Sequence, residues 1–219
     1  MKKNFLHIKR LCVVAMFCAL AFILTYLKLP VSFLSLEIKD SMIVLCTLIF
    51  GPLAGLCIAI IVPILELVSH STTGVYGLIM NMLSSVTFSM VTGLIYKYKK
   101  SFYGAIVGLI CGVCSVTAVM LLANLLVTPY YMGVSVRDVA ALIPKMLLPF
   151  NLVKATLNGA IVLLLYKPLS QTLKKARLVE SKAGGTEGQS RNTIRSLLVT
   201  LIAVGIIGVS LVIIFFVLK

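Results

Sequence analysis

Charge is scarce in this chain, and most of what it has carries one sign. Only 12% of the 219 residues are charged, with six acidic side chains against twenty basic ones. That is about half the charged share of a soluble domain. Catalytic signatures are missing too. There is no Walker A glycine loop, no GxSxG elbow and no HExxH, so the chain has no recognisable route to ATP hydrolysis, and no nucleophile stands beside a plausible base. The net charge of +14 raises nucleic-acid binding. No RNA- or DNA-reading motif accompanies it, and the basic residues fall between apolar runs, where they orient a membrane protein. The six cysteines (Cys12, Cys18, Cys46, Cys57, Cys111, Cys114) all lie within apolar segments. Cys111 and Cys114 form a CxxC without a second ligand pair, and neither His7 nor His70 is placed to supply one. They read as packing residues, and no metal site is expected.

What the chain has in abundance is apolar sequence. It is 60% hydrophobic, with a mean hydropathy of +1.12. Uninterrupted runs at 11–27, 102–127 and 196–218 approach or exceed the roughly 18–20 residues that carry a helix across a bilayer. A soluble core of this size alternates such runs with polar faces. The basic N-terminus (Lys2, Lys3, Lys9, Arg10) and the run after it resemble a signal peptide. The run ends without a small-residue cleavage pattern, so a retained first helix is expected.

Five apolar blocks precede the C-terminal tail, near 11–29, 41–68, 75–96, 102–127 and 146–166. The second is either one helix or two short ones broken at Phe50-Gly51-Pro52, since proline costs a helix interior about 3 kcal/mol. Charge bias chooses between them. With two spans, the N-terminal cluster, Lys97, Lys99, Lys100 and the basic residues from Lys167 onward all fall inside. With one span, the later clusters flip outside, against the positive-inside rule. The expected order is therefore six helices over 1–175, with outside loops near 28–40, 69–74 and 128–145. A polar linker at 176–195 and one further span at 196–219 follow.

Polar groups at membrane depth are few. Lys154 lies in Pro149-Phe150-Asn151-Leu152-Val153-Lys154, some 13 Å into its helix at about 1.5 Å per residue. A lysine there faces a cavity or partner, or else snorkels to an interface. Asn151 shares its helix face, and Asn158 extends the stripe by a turn. Asn81 and Asn124 fall toward the same outer side. Each is either an interhelical hydrogen bond or part of an outward-facing pocket with Asn151 and Lys154. Glu37 and Asp40 stand in the first outside loop, where they either cap the second helix or close over a ligand, with capping favoured for Asp40. Glu66 reads as interfacial. Ala15 and Ala19 give Ala-xxx-Ala on the first helix. Gly104, Gly108 and Gly112 give a double GxxxG on the fifth, read as internal packing.

These residues resemble the S components of energy-coupling factor (ECF) transporters, most closely the riboflavin-specific branch. The resemblance covers about residues 8–175. It rests on Glu37-Ile38-Lys39-Asp40 ahead of Phe50-Gly51-Pro52-Leu53-Ala54-Gly55, on Gly77-Leu78-Ile79-Met80-Asn81, and on Pro149-Phe150-Asn151-Leu152-Val153-Lys154. It implies an all-α, six-helix membrane bundle, here with one additional C-terminal transmembrane helix. It also implies a multi-pass protein of a bacterial cell membrane that captures a vitamin outside, and the charge bias sets the N-terminus in the cytoplasm. Import would be driven by a transmembrane T subunit and two ABC-type ATPases, docked through the Ala15–Ala19 face. Asn151, Lys154 and Asn124 would contact the flavin ring, and Phe150 would cover a face of it. Riboflavin enters as transported ligand, with no cofactor and no catalysis. Two features depart from the pattern. The first loop reads Glu37, Asp40, Ser41, Met42 where two aspartates and Ile-Pro are expected, and the seventh span is an addition. The absence of tryptophan argues against a cationic, thiamine-type ligand. The other readings are the same scaffold serving a different vitamin or precursor, and an intramembrane enzyme or stand-alone channel.

Overall fold

The computed structural model describes residues 2–176, 203–210 and 212–213. The expected linker, apart from its first residue, and the two ends of the last span lie outside the described residues. Helix α1 (Lys2–Leu24) leads into a hairpin of β1 (Leu29–Val31) and β2 (Leu34–Leu36). Helices α2 (Lys39–Phe50), α3 (Pro52–His70), α4 (Gly74–Tyr98) and α5 (Phe102–Met132) follow. A short α6 (Val136–Leu142) then joins α7 (Leu148–Lys175) through a π-helical turn at Ile143–Leu147.

The expected break in the second block is present. Gly51 separates α2 from α3 with φ 99°, a value open to glycine and strained for other residues. Pro52 begins α3, where its missing N–H costs nothing. Arg10 of α1 secures the break from the neighbouring helix. Its guanidinium donates to the Phe50 carbonyl and lies 5.9 Å from the centre of the Phe50 ring. One orphaned carbonyl at the α2 C-terminus thus meets a positive charge.

Helix lengths do not by themselves give six core spans. Four stretches are long and apolar enough to cross a bilayer: Pro52–His70, Gly74–Tyr98, Phe102–Met132 and Val136–Leu173. Helix α2 has 12 residues, about 18 Å at 1.5 Å each, against a hydrocarbon core of about 30 Å. It tolerates being short because protein surrounds it: ten of its residues are buried. Irregular backbone at membrane depth survives where protein rather than lipid covers it. Around α2, one core cluster gathers Val13 and Phe17 of α1, Ile58 and Val62 of α3, Phe88 of α4, Leu109 and Val116 of α5, and Val162 of α7. Large apolar side chains instead face outward on the bundle surface, among them Leu11, Leu53, Val68 and Leu126. That pattern suits lipid, not water.

Two expected loops carry structure. The first, at 28–40, holds the hairpin, paired Leu29↔Leu36, Pro30↔Ser35 and Val31↔Leu34. Its turn starts at Ser32 with φ 55°, the positive value that tight hairpin turns demand. Strands of three residues are too short to show alternation. The second, at 128–145, is mostly helical. Gly133 closes α5 in the left-handed conformation. Ser135 and Asp138 then form a reciprocal capping box that starts α6.

The small-residue stripe on α5 lies against α4. A Cβ on Gly108 would stand 2.9 Å from the Thr92 carbonyl oxygen. One on Gly112 would stand 2.3 Å from Thr92 Oγ1 and 2.9 Å from the Phe88 ring. Gly208, on the C-terminal helix, has no atom in reach of a new Cβ. Thermal unfolding in detergent tests the difference. Gly108→Val and Gly112→Val are each expected to cost about 1–3 kcal/mol, and Gly208→Ala to leave the midpoint unchanged.

Candidate functional site

One end of the bundle concentrates the buried polar chemistry. The hairpin, the start of α2, the end of α3, the start of α4 and the early turns of α7 meet there. Six charged residues take part: Lys28, Lys39 and Lys154 against Glu37, Asp40 and Glu66. The signs balance, three against three.

Lys39 is the centre of the set. It is 1% exposed, and its Nζ lies 2.7 Å from Glu37 Oε2 and 2.5 Å from Glu66 Oε2. Lys28, at the foot of the hairpin, pairs with Glu66 as well and lies 3.6 Å from Glu37 Oε1. Asn81 Nδ2 donates to Glu66 Oε2 at 3.0 Å. Glu66 therefore receives donors from the α1–β1 connection, α2 and α4. This corrects the interfacial placement: Glu66 is 3% exposed and joins three elements. An isolated charge at such depth costs several kcal/mol, so each must be paired.

Glu37 is wholly buried. Burial alone pushes its carboxyl upward, but Lys154, Lys39 and Lys28 outweigh that and bring it down to about 2. Its backbone is fixed from α7. Asn158 Nδ2 donates to the Glu37 carbonyl at 2.9 Å, and Asn158 Oδ1 accepts from the Ser41 amide at 2.8 Å. Asn158 thus satisfies the open N-terminus of α2 from across the bundle. The capping role expected of Asp40 is overturned, since the residue before α2 is Ile38 and no side chain caps it locally. Asp40 turns toward α4 and accepts from Ser85 Oγ at 2.5 Å and from Ser84 Oγ at 3.5 Å.

Below the hairpin is a cavity of about 10 Å³ lined by Asp40, Ser84, Phe88, Val116, Asn151, Lys154 and Ala155, room for about one water. Asn151 and Lys154 reach it from the turns that follow the π-helical stretch. Such wide turns recur at functional sites because they re-aim side chains. Asn151 Nδ2 donates to the Leu147 carbonyl, the last of that stretch, at 2.7 Å. Lys154 Nζ donates to the Ser35 carbonyl of β2 at 3.3 Å, tying α7 to the hairpin.

Of the residues singled out in the sequence, Asp40, Asn151 and Lys154 come together on this cavity. Glu37 and Asn81 belong to the ion network beside it. Asn124 is buried in α5, donating to the Met120 carbonyl at 2.7 Å and accepting from Thr128 Oγ1 at 2.9 Å, and it is not among the cavity's lining residues. Phe150 packs under the hairpin in a second apolar cluster with Val31, Leu36, Val153 and Leu157. Ala15 and Ala19 are exposed on the outer face of α1. The sequence alone set no expectation for Ser84 and Ser85, and none of a shared ion network for Lys28, Lys39 and Glu66. Ser84 and Ser85 lie one turn after Asn81 on α4, a polar stripe the sequence does show. An acid at membrane depth, as Glu66 is, was the other available signal.

Two outcomes follow from the network. Glu66→Ala leaves buried Lys39 with Glu37 as its one close acid, takes the near partner from half-buried Lys28 and unbalances the charge set. It is expected to cost about 2–3 kcal/mol in detergent unfolding, with Lys39→Met in the same chain restoring the balance and recovering part of it. Glu37 is held below the ordinary value of about 4.3, so its contribution is present above that pH and is lost as pH falls toward about 2. Stability is expected to stay level from pH 8 to about 5 and to fall below about 4.3, and less steeply in Glu37→Gln.

Comparison with known proteins agrees with this architecture. The family described as the substrate-specific component of ECF transporters matches residues 9–166. The riboflavin transporter RibU of Staphylococcus aureus (strain TCH60) is 32% identical over 184 residues, 80% of this chain and 97% of that protein. The riboflavin transporter FmnP of Bacillus subtilis (strain 168) is 26% identical over 185 residues, covering 78% and 97%. A solved structure of the S component of a bacterial ECF transporter superposes with a TM-score of 0.67 at 32% identity, over 77% of this chain and 99% of that one. With a shared length of this extent and a shared fold, the chain belongs to the substrate-specific component family of ECF transporters.

Proposed function

We propose that this chain is the riboflavin-capturing subunit of an ATP-driven vitamin importer. The observation that carries the reading is the cavity beneath the hairpin, where Asp40, Asn151 and Lys154 converge in a protein similar to two riboflavin transporters. A flavin ring offers carbonyl acceptors and one ring N–H. Lys154 and Asn151 supply donors, Asp40 an acceptor, and Phe88 an apolar wall. A few polar groups in an apolar pocket suit a flat heterocycle.

A cavity of about 10 Å³ does not admit a tricyclic ring, so capture requires its surroundings to part. We take the hairpin, which Lys154 links to the cavity through the Ser35 carbonyl, as the part that moves. Only Lys154 and Asn158 tie the α7 side to the hairpin by hydrogen bonds, through the Ser35 and Glu37 carbonyls, among the described residues. An open groove of about 360 Å³, lined by Tyr26, Leu29, Leu36 and neighbours, borders the hairpin's foot and leaves room for that motion.

In this reading the hairpin end faces outside and the N-terminus lies in the cytoplasm, in accord with the basic residues at the opposite end of the bundle. Residues 1–175 form the six-helix binding unit. The chain catalyses nothing, holds no cofactor and carries riboflavin as cargo. Its exposed α1 face, with Leu11, Ala15, Met16, Ala19 and Leu20, docks on the T subunit that two ATPases drive. Small residues there let helices approach closely.

Absorption of the purified protein and riboflavin titration by fluorescence quenching test the proposal. Tight saturable quenching is expected, weakened about 10–100-fold by Lys154→Ala or Asn151→Ala. A colourless protein that quenches nothing would overturn it. Ala15→Trp with Ala19→Trp is expected to leave quenching intact and to abolish uptake in vesicles holding the T subunit and ATPases.

A further inference from the structure

Beyond the stretch matched by the family, the described residues 203–210 are helical, as are 212 and 213. This segment packs with one face. Ala203 and Ser210 are buried, at 0% and 4% exposure, and Ile207 is half-buried between them. Positions 203, 207 and 210 form a single helical stripe. Val204, Val209 and Val212 point away and are more than half exposed. The buried stripe meets a specific part of the bundle. Ile207 and Ile213 pack against the apolar cluster made by Val31 and Leu36 of the hairpin with Phe150, Val153 and Leu157 of α7.

That cluster holds the hairpin down on α7, one to four residues in sequence from Asn151 and Lys154. A helix resting on it adds van der Waals contacts that the hairpin loses when it lifts. In a lipid surrounding, such packing is the main source of helix association. We propose that the C-terminal helix is a positioning element for the hairpin, a strap that slows its opening and so slows release of captured ligand. The release part rests on the reading of the site as a flavin-capture site. The contact with the hairpin does not.

The test uses the full chain carrying Ile207→Ala and Ile213→Ala, with Val204→Ala and Val209→Ala on the exposed face as control. Amide exchange of residues 29–36 is measured without ligand, and riboflavin dissociation by fluorescence recovery. The strap predicts that the first pair speeds exchange across the hairpin and raises the dissociation rate about ten-fold, with association changed less, while the control alters neither. If the double variant does not accumulate, Ile213→Ala alone carries the same test with a smaller shift. Unchanged hairpin exchange in a folded variant would overturn the strap. Faster exchange with unchanged dissociation would overturn its role in release. A chain that binds no riboflavin at all would remove the functional reading, and the exchange measurement alone would then decide the contact.

Discussion

A lysine buried to 1% exposure inside a membrane bundle stays charged only if acids reach it, and two acids reach Lys39. Much of the hairpin end of the structure is arranged around that requirement. Glu37 comes from the hairpin and Glu66 from the end of α3. Lys28 then takes the other oxygen of Glu66, and Asn81 shares Oε2 with Lys39. Breaking such a set leaves a bare charge, which costs more than the intact pairs contribute. The network therefore fixes where four chain segments can sit relative to one another.

This constraint explains the shape of α2. A 12-residue helix leaves one end of the bundle to be filled by something else. The hairpin fills it, and Asn158 joins the two by bonding the Glu37 carbonyl and the Ser41 amide. The third carboxylate of the set, Asp40, takes its hydrogen bonds from Ser84 and Ser85 and faces α4 and the cavity. Lys154 belongs to both arrangements: it lowers the Glu37 carboxyl and lines the cavity. In the proposed function, capture chemistry and structural pairing thus share Lys154, on the helix that also carries the hairpin's apolar seat.

Much of this was legible in the sequence, for identifiable reasons. Apolar run length marks spans directly, and Gly51-Pro52 breaks a helix whatever surrounds it. Lys154 and Asn151 stood out because polarity in a span is costly. The glycine stripe on α5 reads as packing from its spacing, and the contacts with Thr92 and Phe88 agree. The hairpin was not legible: three-residue strands give no period, and Ser32 adopts a positive φ without a glycine to announce it. Asp40 was misplaced because a first-turn acid is normally a local cap, whereas here the α2 N-terminus is satisfied from 117 residues away in sequence. Tertiary partners of that kind leave no local signature.

The central claim is that a charge-balanced network holds a hairpin over a capture cavity between α2, α4, α5 and α7. An experimental structure of the chain with riboflavin bound tests it most directly. The account predicts the ring beside Asp40, Phe88, Asn151 and Lys154, the hairpin displaced from its present position, and Lys39 still paired with Glu66. A ring bound elsewhere on the protein, or a bound state in which the Lys39–Glu66 pair is broken, would contradict it.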